Sequence, residues 1–465
     1  MTVIKTVIGV LILVQLIIAA PAWAACQGAS PNLTAVSANQ TDISACLAAA
    51  SNGDTITVPA GSATWTSPLT ITKFVKLVAS GTVTITDNST GGDPDGGGGP
   101  PLLTIAESTA GNTSLQGFTF AQGTGVHLGG NGGIIKMAFT GAGKPILITG
   151  NTFRQGSSGN AIVAATNRGA IWNNTFTGVP AGPNCFNNTS ALRHYATAVY
   201  TSSWTTRSTM GTADTDGTNN LYFENNTVVN MNEAFDTNIG GRTVYRYNNI
   251  TNSALILHGD TSVGSRHVEF YNNTIQYDTS SVCGPLPMNL NGFIEARGGT
   301  LLVHHNVIPH IDGAAWGLKS EVTFNLQMIR RAGGPWSCWG TTTPGTYPAP
   351  YQFGWGYTSG STQAGRTGVF MDPEPVYLWA NTGGANYEAP AVLEYGPNEC
   401  GSSAPSVTSF IQLGRDYFTN SPKPGYAPYT YPHPLTGSTQ PPAAGSAQPP
   451  ATGSTVPAPS SLKVQ

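Results

Sequence analysis

A short phrase built around asparagine recurs along the chain, and this repetition constrains the fold more than any other feature. It reads ITGNTF at 148–153, IWNNTF at 171–176, FENNTV at 223–228, YRYNNI at 245–250, FYNNTI at 270–275 and VHHNVI at 303–308. The asparagine before the final pair gives the anchors Asn151, Asn174, Asn226, Asn248, Asn273 and Asn306. Their spacings are 23, 52, 22, 25 and 33 residues, which indicates a repeat unit of about 23 residues.

Each phrase places an apolar residue three positions before its anchor and another two positions after it. Short strands that turn at asparagine, at this repeat length and without helical periodicity, are typical of coils in a parallel β-solenoid. Coils stacked ~4.8 Å apart would align the anchors in an internal asparagine ladder. Asparagine is also a common turn residue, but its recurrence in one register favours the ladder. The predicted fold is all-β: a single right-handed parallel β-helix with an N-terminal cap helix over 42–50 and long aromatic-rich C-terminal loops.

The chain divides into three parts by composition. Residues 1–24 have the layout of a signal peptide: Lys5, an apolar run over 7–20, and small residues flanking Trp23. Residues 25–435 form the predicted β-helix domain, and 436–465 form a tail rich in Pro, Ser, Thr and Gly that is predicted to be disordered. We therefore expect a secreted protein, extracellular or periplasmic, that is a monomer and has no membrane contact after cleavage. Acylation at Cys26 is the less favoured alternative.

Charge and cysteine content exclude several classes of protein. Only 9% of residues are charged, and 20 basic against 23 acidic residues give a net charge of −3, so nothing favours binding to nucleic acid. Low charge also argues against a helical bundle. The six cysteines form no Cys-x-x-Cys pair, which favours disulfides over zinc. Cys26–Cys46 and Cys283–Cys338 are candidate pairs.

The repeated Asn-Asn-Thr phrases, the capping segment and the phrase GDTITVPAG at 53–61 resemble the pectin-lyase-like, right-handed parallel β-helix superfamily. The resemblance covers about residues 40–385 and implies a carbohydrate ligand. Members include pectate and alginate lyases, polygalacturonases and some non-enzymatic surface proteins. The pectate-lyase signature Arg-x-Pro-x-x-Arg is missing, as is the polygalacturonase set Asn-Thr-Asp, Asp-Asp, Gly-His-Gly and Arg-Ile-Lys. The resemblance therefore leaves the reaction open.

Three segments carry ionisable residues where strands of successive coils are expected: 234–238, 256–260 and 293–297. Side chains alternate along a strand, so the polar members should share the outward face. Aligning the segments predicts one outward column of Asp236, His258 and Glu295, and a second of Asn238, Asp260 and Arg297.

These columns suggest two chemistries. In β-elimination, Ca²⁺ held by Asp236, Asp260 and Glu295 would neutralise a uronate carboxylate, and His258 or Arg297 would remove the adjacent proton. In hydrolysis, Asp236 and Glu295 would act as paired carboxylates ~9–10 Å apart, near the inverting range. The structural alternative is simple charge pairing on a solvated sheet.

Four more residues are predicted to bind substrate. Arg193 and His194 lie in an insertion between coils and could overhang the groove, or could serve as loop anchors. Trp336 and Trp339 lie in an aromatic stretch at 330–360 that could stack on sugar rings or pack against the coils. The first prediction is a polysaccharide lyase, the second a glycoside hydrolase, and the third a non-catalytic glycan-binding or surface protein.

Overall fold

The computed structural model describes residues 25–89, 100–127, 132–156, 158–178, 188–196, 203–204, 206–257, 264–276, 294–308, 324–329, 353–357, 371–383, 391–395, 408 and 411–437. The fold there is mostly β, dominated by two long parallel sheets of eighteen and ten strands. The predicted all-β, parallel character is confirmed. No helix among these described residues is long and apolar enough to cross a membrane.

The chain begins with a cap and three long strands. Strands β1 (Cys26–Ala29) and β2 (Asn32–Ala35) precede helix α1 (Gln40–Ala49), and β3 (Thr55–Trp65), β5 (Lys76–Asp87) and β7 (Ser114–Gln122) follow. The helix buries Ile43, Cys46 and Leu47 as its sequence predicts, although it begins two residues earlier than expected. The predicted Cys26–Cys46 disulfide joins β1 to this helix, whereas Cys283–Cys338 lies outside the described residues.

Beyond the cap, each coil contributes strands to three parallel series. The first series comprises β9 (Ile146–Thr149), β12 (Gly169–Trp172), β15 (Leu221–Glu224), β18 (Arg242–Arg246), β21 (His267–Tyr271), β24 (Thr300–His304), β28 (Val376–Trp379) and β30 (Tyr417–Thr419). The second comprises β10 (Thr152–Gln155), β13 (Thr175–Gly178), β16 (Thr227–Val229), β19 (Asn249–Thr251) and β22 (Thr274–Gln276). These two series and the five strands of the cap region make up the eighteen-stranded sheet.

The third series is the ten-stranded sheet. It comprises β4 (Leu69–Ile71), β6 (Leu103–Ala106), β8 (Ile135–Ala138), β11 (Ser158–Ala164), β14 (Asn188–Tyr195), β17 (Glu233–Asn238), β20 (Ala254–Leu257), β23 (Ile294–Ala296), β25 (Phe324–Ile329) and β29 (Ala391–Tyr395). A short antiparallel pair, β26 (Trp355–Tyr357) with β27 (Met371–Pro373), stands apart from both sheets.

The predicted asparagine ladder is confirmed. The side-chain amide nitrogen of each anchor donates to the side-chain carbonyl oxygen of the next anchor, at 3.1, 3.0, 3.3, 2.9 and 3.0 Å along the stack. A seventh rung follows, because Asn306 donates to Asn381 at 2.9 Å. The residue before each rung adopts a left-handed backbone, for example Asn173 and Asn225 with φ of 55°. Asparagine tolerates this conformation better than most residues, which explains the doubled Asn-Asn in the repeat.

Apolar side chains fill the space between the three series. Phe120, Phe153 and Phe176 stack in consecutive coils with ring centroids 5.5 and 4.9 Å apart. From Phe176 the ring contacts cross to Phe223 and Tyr245, which lie on β15 and β18 of the first series. The repeat therefore places both its polar anchor and its aromatic residue at fixed depths inside the coil stack.

Residues 423–437, here called the C-terminal strap, pack over the outward side chains of the first series. Arg246 is fully buried, pairs with Glu224, and donates to the carbonyl oxygens of Tyr429 and Thr430. A backbone N–H of the strap, that of His433, donates to the other oxygen of Glu224 at 2.9 Å. The strap therefore covers the outward side chains of Glu224 and Arg246, whereas the candidate site lies on the ten-stranded sheet.

Candidate functional site

The register of the ten-stranded sheet aligns Arg193 on β14, Asp236 on β17, Ile256 on β20 and Glu295 on β23. Asp236 and Glu295 therefore share a column, as predicted. The predicted member between them was wrong: Ile256 occupies that position, not His258. The observed register differs from the predicted one by two residues, and such a shift keeps the alternation of inward and outward side chains. Leu255 and Leu257 therefore both face the core. β17 also contains a register irregularity between Glu233 and Phe235.

Of the second predicted column, Asn238 ends β17, where it pairs with Tyr195 on β14, and Arg297 directly follows β23. The remaining member, Asp260, lies outside the described residues. The expectation of a solvated surface was wrong for the described members, since Asp236, Asn238 and Arg297 are all at least 96% buried, with 0%, 4% and 3% exposed. Alternation determines which face a side chain lies on, but not what covers that face.

Four residues on β14 and β17 form a charged group, here called the Arg193 cluster: Arg193, Tyr195, Glu233 and Asp236. The Arg193 guanidinium contacts Glu233 Oε2 at 3.2 Å and Asp236 Oδ2 at 3.4 Å. The Tyr195 hydroxyl donates to the same Asp236 oxygen at 2.6 Å. Ser190 Oγ donates to Glu233. One cation therefore lies between two carboxylates, and each carboxylate also accepts a hydroxyl.

Exposure within the Arg193 cluster is uneven. The Asp236 side chain is completely buried and that of Glu233 nearly so, whereas 15% of the Arg193 side chain remains exposed and Tyr195 is half-buried. Of the four side chains, those of Arg193 and Tyr195 are therefore the ones that present surface to an external ligand, and the two carboxylates are enclosed by the protein.

Burial and neighbouring charge set the ionisation of this cluster. Burial alone would lower the pKa of Arg193, but the Glu233 and Asp236 carboxylates outweigh it and raise that pKa above its ordinary value. Burial, reinforced by the negative charge of Asp236, raises the pKa of Tyr195 well above its usual range. Arg193 is thus a permanent cation and Tyr195 a neutral phenol at ordinary pH.

His194 was predicted to bind substrate, and the structure corrects this. It follows Arg193 on β14, so its side chain lies on the opposite, inward face, where it is completely buried and contacts the Thr243 hydroxyl. Burial lowers its pKa to about 3. A neutral imidazole enclosed between the sheets has no access to a polysaccharide.

Several predicted site residues lie outside the described residues, namely His258, Asp260, Trp336 and Trp339, and so does the side chain of Glu295. Within the described part of the chain, no three His, Cys, Asp or Glu side chains converge as a metal site. Asp236, one of the predicted Ca²⁺ ligands, instead contacts Arg193 and Tyr195.

Sequence reasoning missed two members of the cluster. Tyr195 lies two positions after Arg193, so alternation along the strand places these two side chains on one face and His194 on the other. The sequence therefore contained the signal that groups Tyr195 with Arg193. Glu233 opens β17 next to the register irregularity, where strand parity gives no reliable guide to the direction of its side chain.

Comparison with family models, with curated proteins and with solved structures finds no match to this chain.

Proposed function

We propose that this protein is a secreted, right-handed parallel β-helix protein of the pectin-lyase-like kind that cleaves an acidic polysaccharide by β-elimination. The right-handed coil is the hand that parallel crossover connections almost always take. The disulfide of the cap is compatible with an oxidising, extracytoplasmic location. The outward face of the ten-stranded sheet around the Arg193 cluster is the proposed substrate site.

The single observation that carries this proposal is the partly exposed side chain of Arg193 on the outward face of the sheet. In β-elimination, the uronate carboxylate must be neutralised so that the neighbouring C5 proton becomes acidic. A planar guanidinium binds a carboxylate through two parallel hydrogen bonds, and the raised pKa of Arg193 keeps it charged at every pH at which a lyase works. Glu233 and Asp236 fix the orientation of the fork before substrate arrives.

Removal of the C5 proton requires a base. His258 and Arg297 are the predicted candidates: Arg297 directly follows β23 and is 3% exposed, and His258 lies outside the described residues. Arg193 itself is excluded as the base, because its pKa is raised and its nitrogens contact carboxylates. Neutralisation of the uronate carboxylate and removal of the C5 proton are thus assigned to different side chains.

Hydrolysis is the second candidate, and one observation favours it. Glu233 and Asp236 contact the same guanidinium, so their nearest oxygens lie no more than about 9 Å apart, within the range of glycosidase carboxylate pairs. An acid catalyst must donate a proton to the glycosidic oxygen, whereas each of these carboxylates accepts a hydroxyl hydrogen and contacts Arg193. Elimination is therefore the better-supported reaction.

A panel of polymers tests the proposal. The purified chain is incubated with polygalacturonate, alginate and a glycosaminoglycan, and with neutral xylan and cellulose as controls. We expect ultraviolet absorbance from unsaturated uronate with at least one acidic polymer and with neither neutral one. New reducing ends without that absorbance would favour hydrolysis, and binding without cleavage would favour the non-catalytic alternative.

A conservative variant connects the activity to the site. Arg193→Lys keeps the positive charge between Glu233 and Asp236 but loses the planar fork. Loss of one charge-assisted hydrogen bond, about 1.5–3 kcal/mol, should reduce kcat/KM by about 10–100-fold. Arg154→Lys is the matched control, since Arg154 is an exposed arginine on β10 of the other sheet, and it should leave kcat/KM unchanged. Equal activity of both variants would remove the Arg193 cluster from the mechanism.

A further inference from the structure

Tyr195 lies beside Arg193 at the end of β14, and the two share the outward face of the ten-stranded sheet. Its hydroxyl donates to Asp236 Oδ2 at 2.6 Å, and the Arg193 guanidinium carbon lies 5.8 Å from the centre of its ring. The tyrosine is half-buried, so part of its surface stays accessible while the surrounding protein restrains the ring. This is a phenol that is held in place next to the proposed binding site for a carboxylate.

We propose that Tyr195 is a catalytic residue that donates its phenolic proton to the glycosidic oxygen that leaves during β-elimination, and that Asp236 is the positioning residue for its hydroxyl. The inference rests on the proposed function and adds the proton donor that the reaction needs. The hydroxyl can rotate about its C–O bond from Asp236 towards a substrate oxygen, while the ring and the phenol oxygen stay in place.

The proposed elimination breaks the bond between C5 and its proton and the bond between C4 and the glycosidic oxygen. The base takes the C5 proton of the uronate, and the C–H electron pair forms the double bond between C4 and C5. The bond between C4 and the glycosidic oxygen breaks, and that oxygen keeps the bonding pair and takes the proton of Tyr195. The phenolate left behind is stabilised by the Arg193 cation but repelled by the Asp236 carboxylate, so it is a short-lived species that must be reprotonated. Water, or the protonated base, then returns a proton to Tyr195.

The electrostatics of the cluster keep the phenol of Tyr195 in its protonated form. Burial and the Asp236 carboxylate raise the pKa of Tyr195 well above 10, so the phenol enters the reaction protonated. An acid catalyst must be protonated, and activity that depends on it falls only as the pH rises through its pKa. The rate of the wild-type protein should therefore show no decline on the alkaline side up to pH values of about 9.

Tyr195→Phe tests the assignment, because it removes the hydroxyl and keeps the ring against Arg193. We expect kcat on a natural uronate polymer to fall by about 100-fold or more, with KM nearly unchanged. Tyr222→Phe is the matched control: the Tyr222 hydroxyl also donates to a buried aspartate, Asp214 Oδ2 at 2.9 Å, but on the eighteen-stranded sheet. It should leave kcat unchanged.

The identity of the leaving group separates catalysis from structure. A uronate oligosaccharide with an aryl ether at its leaving position expels a phenolate that needs no proton, so Tyr195→Phe should regain most of the wild-type rate on it. A purely structural hydroxyl would give the same loss on both substrates, and that result overturns the inference. A Tyr195→Phe rate within about threefold of wild type overturns it too, while leaving the proposed function intact. Absence of any unsaturated product from the wild-type protein overturns both.

Discussion

Replacing one rung of the asparagine ladder tests what holds the coils together. Asn226 donates from its amide to the Ile171 carbonyl at 2.9 Å and to Asn248, and its own carbonyl accepts the backbone N–H of Asn174 at 2.9 Å. Asn226→Ala removes all of these bonds at once. It deprives two backbone groups, the Asn174 N–H and the Ile171 carbonyl, of the side-chain partner that Asn226 supplies. At about 1–3 kcal/mol for each buried group left unsatisfied, the expected loss is about 2–6 kcal/mol in the free energy of unfolding.

Chemical denaturation of the purified variant measures this loss, with hydrogen exchange to locate it. Protection should fall in the coils on either side of the rung, because stacked repeats transmit strain mainly to their neighbours. Asn249→Ala is the matched control: this asparagine is exposed at the start of β19 and should cost no more than about 0.5 kcal/mol. A loss for Asn226→Ala as small as that of the control would refute the reasoning that the ladder stabilises the stack.

Three further predictions follow from buried groups. The unfolded chain protonates His194 below about pH 6.5 but the folded chain only near 3, so the stability that this residue contributes is fully present above 6.5 and is lost as the pH falls. His194→Gln should flatten that acid dependence in pH-dependent denaturation. Arg246→Met should leave Glu224 as an unpaired buried charge and cost about 3–5 kcal/mol; limited chymotrypsin digestion should then cut after Tyr426, within the strap, faster than in wild type. Chelation of divalent metals should leave cleavage of polymer unchanged, because Asp236 already contacts Arg193 and Tyr195, and an abolished activity that Ca²⁺ restores would contradict this.

Repetition made most of the fold predictable. Six anchors in one register predicted the coil length, the parallel pairing and the ladder, because each coil repeats the same strand, turn and asparagine hydrogen bonds. The seventh rung at Asn381 was not predicted. Its surroundings, Leu-Trp-Ala-Asn, lack the doubled asparagine, and Ala380 adopts the left-handed backbone that Asn or Gly adopts in most of the other turns.

The candidate site was less predictable, for two physical reasons. Alternation fixes the face of a side chain but cannot distinguish registers that differ by two residues, which is why Ile256 and not His258 lies between Asp236 and Glu295. Burial on the outward face depends on what packs over it, and no local pattern reports that. Arg193 and His194 were both predicted to bind substrate, but alternation puts Arg193 on the outward face of β14 and His194 on the buried, inward face.

The mass of the products tests the central claim most directly. Elimination splits a uronate oligosaccharide into two fragments whose masses sum to that of the substrate, whereas hydrolysis adds one water. Mass spectrometry after incubation of the full chain with a defined uronate oligosaccharide should therefore show fragments without added water, one of them unsaturated. Fragments that together contain an added water, or an intact substrate with every acidic oligosaccharide tested, would contradict the account.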